Sequence, residues 1–277
     1  MLPPSLKQNP LVQELAARIF TLTGHRYPSR WYTPYKFREL KRVLSGPFDP
    51  YHLPAHYGQW LDERIVEYPW FFSRLPADAG RLLDAGSVLN FDLLLQQPKL
   101  RTKDLTIMTL APEADCFWHH GVSYVYGDLR ETGFRDDYFD SIVCISTLEH
   151  VGLDNTLLYT KDASKKESDT TAYLAAVREL RRVLKPGGTA FITVPFGRRH
   201  VRSWLQVFDP EMLENLLAAF APQASSLDYF RYHAVDGWHL TSREASGDAR
   251  YFDPLADQPW PGRPVGAEAV ACLELTK

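Results

Sequence analysis

The segment Tyr124–Val151 constrains the fold most, because its pattern is that of two strands joined by a polar loop. Ser123–Tyr126 is a short run of residues typical of β-strands. After the loop, Phe139–Ile145 is almost continuously apolar, which is typical of a strand buried on both faces of a parallel sheet. Polar side chains follow both strands, Asp128 after the first and Ser146–His150 after the second. Ligands of open α/β sheets bind outside the carboxyl ends of the strands, so we expect a site here.

Three motifs, taken in their order along the chain, resemble a known family. No single motif is specific, but the three together at family-like spacing are, and they cover roughly residues 81–195. The segment Gly127–Val151 is similar to the middle of the class I S-adenosyl-L-methionine (SAM)-dependent methyltransferases. Leu180–Gly188 is similar to that family's turn from a helix into the fifth strand, and Leu82–Gly86 resembles its first strand and cofactor loop.

The resemblance implies an α/β fold of the Rossmann-like class I methyltransferase type. Its sheet would be mostly parallel and seven-stranded, with an antiparallel last strand at Ala269–Leu275. We expect this domain to span residues 80–277, with substrate-side insertions at about 153–171 and 234–268. Residues 1–79 contain three helical patterns and are predicted to form a helical N-terminal extension. The polar insertion at 153–171 is expected either to cover the site as a lid or to have no role.

Charge and cysteine usage narrow the classes of protein. The 277 residues have a formal net charge of −3, which gives no support for nucleic acid as a partner. Three separated cysteines suit a reducing compartment and no stretch is apolar enough to span a membrane, so we expect a cytoplasmic protein. The stretch Arg18–Arg42 differs, because seven basic residues interleave there with aromatic ones. It is predicted either to bind a phosphate-bearing or acidic substrate or to be a solvated helical cap.

The resemblance implies that SAM binds at the ends of the first four strands. Asp128 matches the family's acid that accepts a hydrogen bond from the adenine amine. The family pattern after the first strand is an acid followed by three alternating glycines, whereas Val88 and Asn90 replace the second and third glycines here. Because valine avoids positive φ, we expect the loop to follow another path or cofactor binding to be weakened. The implied cofactor-binding residues are Asp84, Gly86, Ser87, Glu113 (for the ribose hydroxyls, with Asp115 as the second choice), Asp128, Leu129 and Ser146.

The methyl acceptor is expected at the same edge of the sheet. His150 is the candidate general base, since an unperturbed imidazole titrates near neutrality, and Glu149 would orient it. The alternative is that both residues only form the corner between a strand and a helix. Ser146 stands where metal-binding relatives carry a carboxylate, which argues against a metal. The loop after the fifth strand offers paired arginines that suit a carboxylate or phosphate. The candidate substrate-binding residues are Arg198, Arg199, His200 and Trp238.

These observations predict methyl transfer from SAM to oxygen or nitrogen of a small-molecule or glycan-precursor acceptor. The alternative is a non-catalytic relative that keeps the fold as a scaffold or regulator. The missing glycines favour that alternative, and the retained Asp128 disfavours it. A nicotinamide-dependent oxidoreductase is disfavoured because no GxGxxG motif follows the first strand. The sequence gives neither the acceptor atom nor the oligomeric state.

Overall fold

A computed structural model describes residues 9–25, 27, 29–160, 162–252 and 266–277, apart from the side chain of Leu157. Its strands, numbered along the chain, are β1 (Gly80–Ala85), β2 (Lys103–Thr109), β3 (Ser123–Tyr126), β4 (Phe139–Ile145), β5 (Leu184–Pro195), β6 (His200–Val201), β7 (Gln206–Val207), β8 (Ala224–His233), β9 (Gly237–Thr241), β10 (Tyr251–Phe252), β11 (Gly266–Ala267) and β12 (Ala269–Thr276). Eight of them form one sheet in the order β3-β2-β1-β4-β5-β12-β8-β9.

The sheet is parallel from β3 to β5, and β12 runs antiparallel to both β5 and β8. This arrangement confirms the predicted Rossmann-like fold with its antiparallel last strand. An eighth strand, β9, extends the edge because it folds back on β8 as a hairpin. The strand order reverses between β1 and β4, so the crevice at their carboxyl ends is the topological switch point of the sheet.

Helices cover both faces of the sheet, which explains why β4 is apolar without alternation. The neighbouring Leu82 and Leu83 point into the two different cores, as the two-residue period of a strand requires. The first three helices pack on one face, and the helices that flank β5 in the chain pack on the other. The described helices are α1 (Pro10–Leu22), α2 (Tyr32–Leu44), α3 (Arg64–Arg74), α4 (Asp92–Leu95), α5 (Pro98–Arg101), α6 (Thr156–Tyr159), α7 (Tyr173–Val183), α8 (Pro210–Phe220) and α9 (Arg243–Ser246).

Helix α1 begins where the sequence predicted, with Asn9 as its N-cap and Pro10 in its first turn. The leucines that indicated this helix are exposed, however: Leu11 by 82%, Leu15 by 54% and Leu22 by 86%. The helix instead packs through small and aromatic side chains on its opposite side. Its buried residues are Gln13, Ala16, Ala17 and Phe20.

Helix α3 joins the N-terminal region to the sheet. Its Trp70 and Phe71 are fully buried, with ring centroids 6.1 and 5.5 Å from that of Phe191 on β5. The N-terminal helices therefore share a hydrophobic core with one face of the sheet. The division of the chain into residues 1–79 and 80–277 stays a prediction.

The cysteines occupy two different environments. Cys144 and Cys272 are buried inside strands, as the sequence indicated, and burial raises the pKa of both thiols. Cys116 is exposed in the connection between β2 and β3. In the part of the chain that the structure describes, no helix is long and apolar enough to cross a membrane.

Candidate active site

A cavity of about 730 Å³ lies at the carboxyl ends of β1 to β4. This volume falls within the range of small-molecule sites, roughly 300–1,000 Å³. Its floor is the loop after β1 and the ends of the neighbouring strands, and its walls come from α2, α3 and the segment 153–167. Five of the predicted site residues bound it on the side of the sheet, together with His150. These five are Gly86, Ser87, Asp128, Leu129 and Ser146.

Asp84 holds the loop after β1 from below and does not line the cavity. It is fully buried, and its two carboxyl oxygens accept hydrogen bonds from the backbone nitrogens of Val88 (3.1 Å) and Leu89 (2.8 Å). Burial raises the pKa of this carboxyl to about 7, against the opposing effect of the two amides. Asp84 therefore holds the loop after β1 in shape, and its predicted part in cofactor binding stays a prediction.

The loop after β1 turns at its first two residues. Gly86 and Ser87 adopt positive φ, 119° and 61°, whereas neither Val88 nor Asn90 does. A Cβ on Gly86 would lie 2.2 Å from Oγ1 of Thr147, so this position has no room for a side chain. The positive-φ turn of the loop therefore falls on Gly86 and Ser87, and the expected change of loop path or weakening of cofactor binding stays a prediction.

Asn90 braces the outside of the loop. Its Nδ2 donates to Oε2 of Glu113 at 2.9 Å, and its Oδ1 accepts from the hydroxyl of Tyr124 at 2.8 Å. Glu113 does not line the cavity, so the structure does not bring the predicted ribose acid to the site. Thr109, the last residue of β2, lies at the cavity wall in its place.

Two hydroxyls at the cavity are buried and poorly bonded. In the part of the chain that the structure describes, Ser87 Oγ has no hydrogen-bond partner, and Thr109 Oγ1 has only the Tyr159 side chain beside it, without a bond of normal geometry. Buried polar atoms in proteins are nearly always hydrogen-bonded, so each exception calls for an explanation. A ligand that carries hydroxyl or amino groups would supply the missing partners.

Asp128 lines the cavity at the end of β3, and Arg130 holds its carboxylate. Arg130 donates to Asp128 through its backbone nitrogen (2.8 Å), Nε (3.0 Å) and Nη2 (2.6 Å). Although burial acts to raise it, these bonds keep the pKa of the Asp128 carboxyl below its usual value. Arg130 also donates two bonds of 2.8 Å to Glu167, which ties the segment 153–171 to the site. This segment borders the cavity, and its role as a lid stays a prediction.

Ser146 connects the site to a buried acid that the sequence did not indicate. Its Oγ donates to Oε1 of Glu67 at 2.7 Å, and Thr193 Oγ1 donates to the same oxygen at 2.6 Å. Glu67 is completely buried on α3 and also accepts from Nη1 of Arg64, which lines the cavity. A pattern search around the predicted strands could not find Glu67, because it reaches the site from the N-terminal region.

His150 lies at the cavity wall with a defined tautomer. Its Nδ1 is 2.8 Å from the backbone oxygen of Trp204, so Nδ1 carries the proton and Nε2 keeps a lone pair. Burial lowers the pKa of His150 to about 4, well below the neutral value expected from the sequence. Glu149 is buried beside it, with Oε1 3.8 Å from Nε2, and burial raises the pKa of Glu149 well above its usual value.

The four predicted substrate-binding residues lie outside this cavity. Arg198 and Arg199 are exposed on the loop after β5, and His200 is exposed at the start of β6. The substrate role of all three stays a prediction. The expectation for Trp238 is wrong, because it is 1% exposed and its Nε1 donates to the backbone oxygen of Leu61 at 2.9 Å. In the segment 234–268, residues 253–265 lie outside the described part of the chain.

Much of the positive charge of Arg18–Arg42 is paired within the N-terminal helices. Arg38 and Arg42 both bond Glu39, and Lys36 bonds Oδ2 of Asp62 at 2.6 Å. These contacts agree with the prediction of a helical cap anchored to the core. One face of α2 nevertheless reaches the cavity through Tyr32, Thr33, Lys36, Phe37 and Leu40.

Comparisons with known proteins find one family model and several solved structures that are similar to this chain. Residues 86–192 match a family model described as a methyltransferase domain. No protein of curated function matches the sequence. Among solved structures, the [4+2]-cyclase SpnF is 22% identical over 74% of this chain and 75% of its own, with a TM-score of 0.42. A Burkholderia thailandensis 1,6-didemethyltoxoflavin-N1-methyltransferase is 14% identical (97% and 91%; TM-score 0.45), and an Archaeoglobus fulgidus SAM-dependent methyltransferase is 12% identical (77% and 95%; TM-score 0.47).

Proposed function

We propose, starting from the methyltransferase domain that residues 86–192 carry, that this chain transfers a methyl group from SAM to a small-molecule or glycan-precursor acceptor. The recognition made from the sequence motifs is confirmed for that segment. The observation that carries the proposal is the position of the cavity, at the switch point of the sheet and bounded by Gly86, Asp128 and Ser146. A cytoplasmic location stays a prediction.

The residues around the cavity fit the proposed cofactor. Gly86 and Ser87 would receive its amino-acid part, since the backbone there is open to a ligand and Ser87 Oγ lacks a partner. Thr109 and Asp128 both line the cavity. Thr109 would bond the ribose hydroxyls, and Asp128 would bond the adenine amine, because a carboxylate is a pure acceptor. When bound, SAM supplies an electrophilic methyl group on a sulfonium centre.

His150 is the candidate base for an acceptor that must lose a proton. The bond from Nδ1 to the Trp204 carbonyl leaves Nε2 as the atom that can accept that proton. The lowered pKa of His150 keeps the ring neutral at physiological pH, so the base is in its active form. Positioning of the acceptor by the cavity walls would contribute the rest of the rate.

The non-catalytic alternative keeps one supporting observation. Arg130 already occupies both carboxyl oxygens of Asp128, so an adenine amine would have to share this acceptor. The replaced glycines, by contrast, no longer support the alternative, since the loop makes its turn at Gly86 and Ser87.

Calorimetry and thermal-shift measurements with SAM, S-adenosylhomocysteine and NAD distinguish these functions. We expect both sulfur ligands to bind and to raise the melting temperature, because a ligand of the native state stabilises it, while NAD has no effect. Transfer of a labelled methyl group from SAM to members of an acceptor panel then tests catalysis. If neither sulfur ligand binds the folded chain, the methyltransferase proposal is wrong and the scaffold alternative stands.

A further inference from the structure

Positively charged side chains outnumber negatively charged ones around the cavity. Five described cations line it, whereas the described acids that line it are only Asp128 and Glu167. Both of these acids bond Arg130. The two carboxylates and the one guanidinium together carry one negative charge. The cations that remain are Lys36, Arg64, Lys165 and Lys166.

The acids that pair with these cations stand behind them. Asp62, which bonds Lys36, is 8% exposed, and Glu67, which bonds Arg64, is completely buried; neither borders the cavity. Lys36 and Arg64 therefore line the cavity, while the acids hold their charged groups from the protein side. A lysine ammonium has three donors and an arginine guanidinium five, so each retains donors for a second anion.

Aromatic side chains lie next to Lys36 in the cavity wall. Phe37 follows Lys36 in the chain, and its ring contacts that of Phe91 edge to face with centroids 5.6 Å apart. Both rings line the cavity, as does Tyr32 one turn earlier on α2. The wall thus combines an ammonium group held by Asp62 with two aromatic rings, which suits a ligand that has an anionic group beside a ring.

We propose, on the basis of the methyl-transfer function above, that the acceptor is an aromatic acid whose carboxylate or phosphate binds Lys36 and whose ring packs on Phe37 and Phe91. Arg64 lines the same cavity, where its guanidinium bonds the buried Glu67. This assignment moves the anion site from the predicted Arg198 and Arg199 to the helical N-terminal region.

The test uses the full-length chain saturated with S-adenosylhomocysteine, titrated calorimetrically with benzoate, phenyl phosphate and the neutral benzamide. We expect at least one anion to bind roughly tenfold or more tightly than benzamide, since a bond to a charged group is the stronger one. Lys36→Gln should remove most of that preference. Lys41→Gln is the matched control, because it makes the same charge change on the same helix at an exposed position outside the cavity.

Three outcomes of these titrations would contradict the proposal. Equal binding of benzamide and both anions, or an unchanged preference in Lys36→Gln, excludes the anion site. If Lys36→Gln weakens S-adenosylhomocysteine instead, Lys36 serves the cofactor's own carboxylate and the assignment to the acceptor is wrong. Should Lys36→Gln not fold, the double variant Lys36→Gln/Asp62→Asn removes both charges of the pair and takes its place. If S-adenosylhomocysteine itself does not bind, methyl transfer fails, and the same titration of the ligand-free chain still decides the anion preference.

Discussion

The imidazole of His150 stacks on the indole of Trp204 with centroids 5.2 Å apart, and its Nδ1 lies 2.8 Å from the Trp204 backbone oxygen. Trp204 lies in the hairpin β6–β7. This hairpin thereby fixes both the plane and the tautomer of the imidazole that we propose as the general base.

The first prediction concerns the pH dependence of activity. Because the pKa of His150 is about 4, turnover limited by this base should not change between pH 6 and 8 through His150. His150→Ala should lower kcat by roughly 10²–10⁴ while S-adenosylhomocysteine affinity is retained, and Glu149→Gln should have a smaller effect. A rise of kcat with a midpoint near 6.5 would show that the imidazole titrates normally.

The lowered pKa of His150 also predicts how the stability of the fold changes with pH. The unfolded state takes up a proton near pH 6.5, whereas folded His150 does so only near pH 4, so its contribution to stability is lost as the pH falls through that window. Urea unfolding of the wild type and His150→Gln over this range should show a steeper loss for the wild type. Parallel curves would contradict this assignment.

The second prediction concerns Gly86. Gly86→Ala combines a strained φ of 119° with a contact of 2.2 Å to Thr147, and should destabilise the fold by more than about 3 kcal/mol or abolish cofactor binding. Gly121→Ala is the control, since Gly121 has a φ of 77° with nothing within 4 Å of its added Cβ. That variant should lose only about 1–2 kcal/mol from backbone strain. Equal losses in urea unfolding would mean that the approach to Thr147 is unimportant.

The third prediction concerns Asp128. Asp128→Ala should weaken S-adenosylhomocysteine by about 1–3 kcal/mol in calorimetry without unfolding the protein. Asp136→Ala removes an acid that also pairs with an arginine, Arg182, but away from the cavity, and should leave the affinity unchanged. Unchanged affinity in a folded Asp128→Ala protein would exclude the adenine contact.

The fourth prediction concerns Glu67. Glu67→Ala leaves Arg64 without its buried partner and the hydroxyls of Ser146 and Thr193 without their acceptor. Breaking a buried ion pair in this way costs roughly 3–5 kcal/mol, which chemical denaturation should detect. Glu14→Ala, which breaks an exposed pair with Arg38, should change the stability little. A small loss in both variants would show that Glu67 does not hold α3 to the sheet.

The strands were predictable because their signal is local. β3 and β4 begin and end at the residues that the apolar pattern indicated, Ser123–Tyr126 and Phe139–Ile145. The mostly parallel sheet and its antiparallel last strand followed from the family resemblance. The edge strand β9 did not, since that hairpin lies in an insertion.

The site was only partly predictable, for a physical reason. Gly86, Asp128 and His150 follow strands directly, so strand prediction alone places them at the cavity. Lys36 and Glu67 arrive through packing of distant helices, which no short pattern encodes. Trp238 was misplaced because a tryptophan in a Gly- and Pro-rich segment gives no indication of its burial.

The different environments of the three thiols allow one cysteine to be labelled selectively. Cys144 and Cys272 lie inside strands, where burial keeps their thiols protonated, and Cys116 faces solvent. A maleimide dye added to the native chain would therefore attach at one place. That place follows Asp115, whose backbone oxygen accepts a bond from Asn90, so the fluorescence would report on the brace behind the cofactor loop.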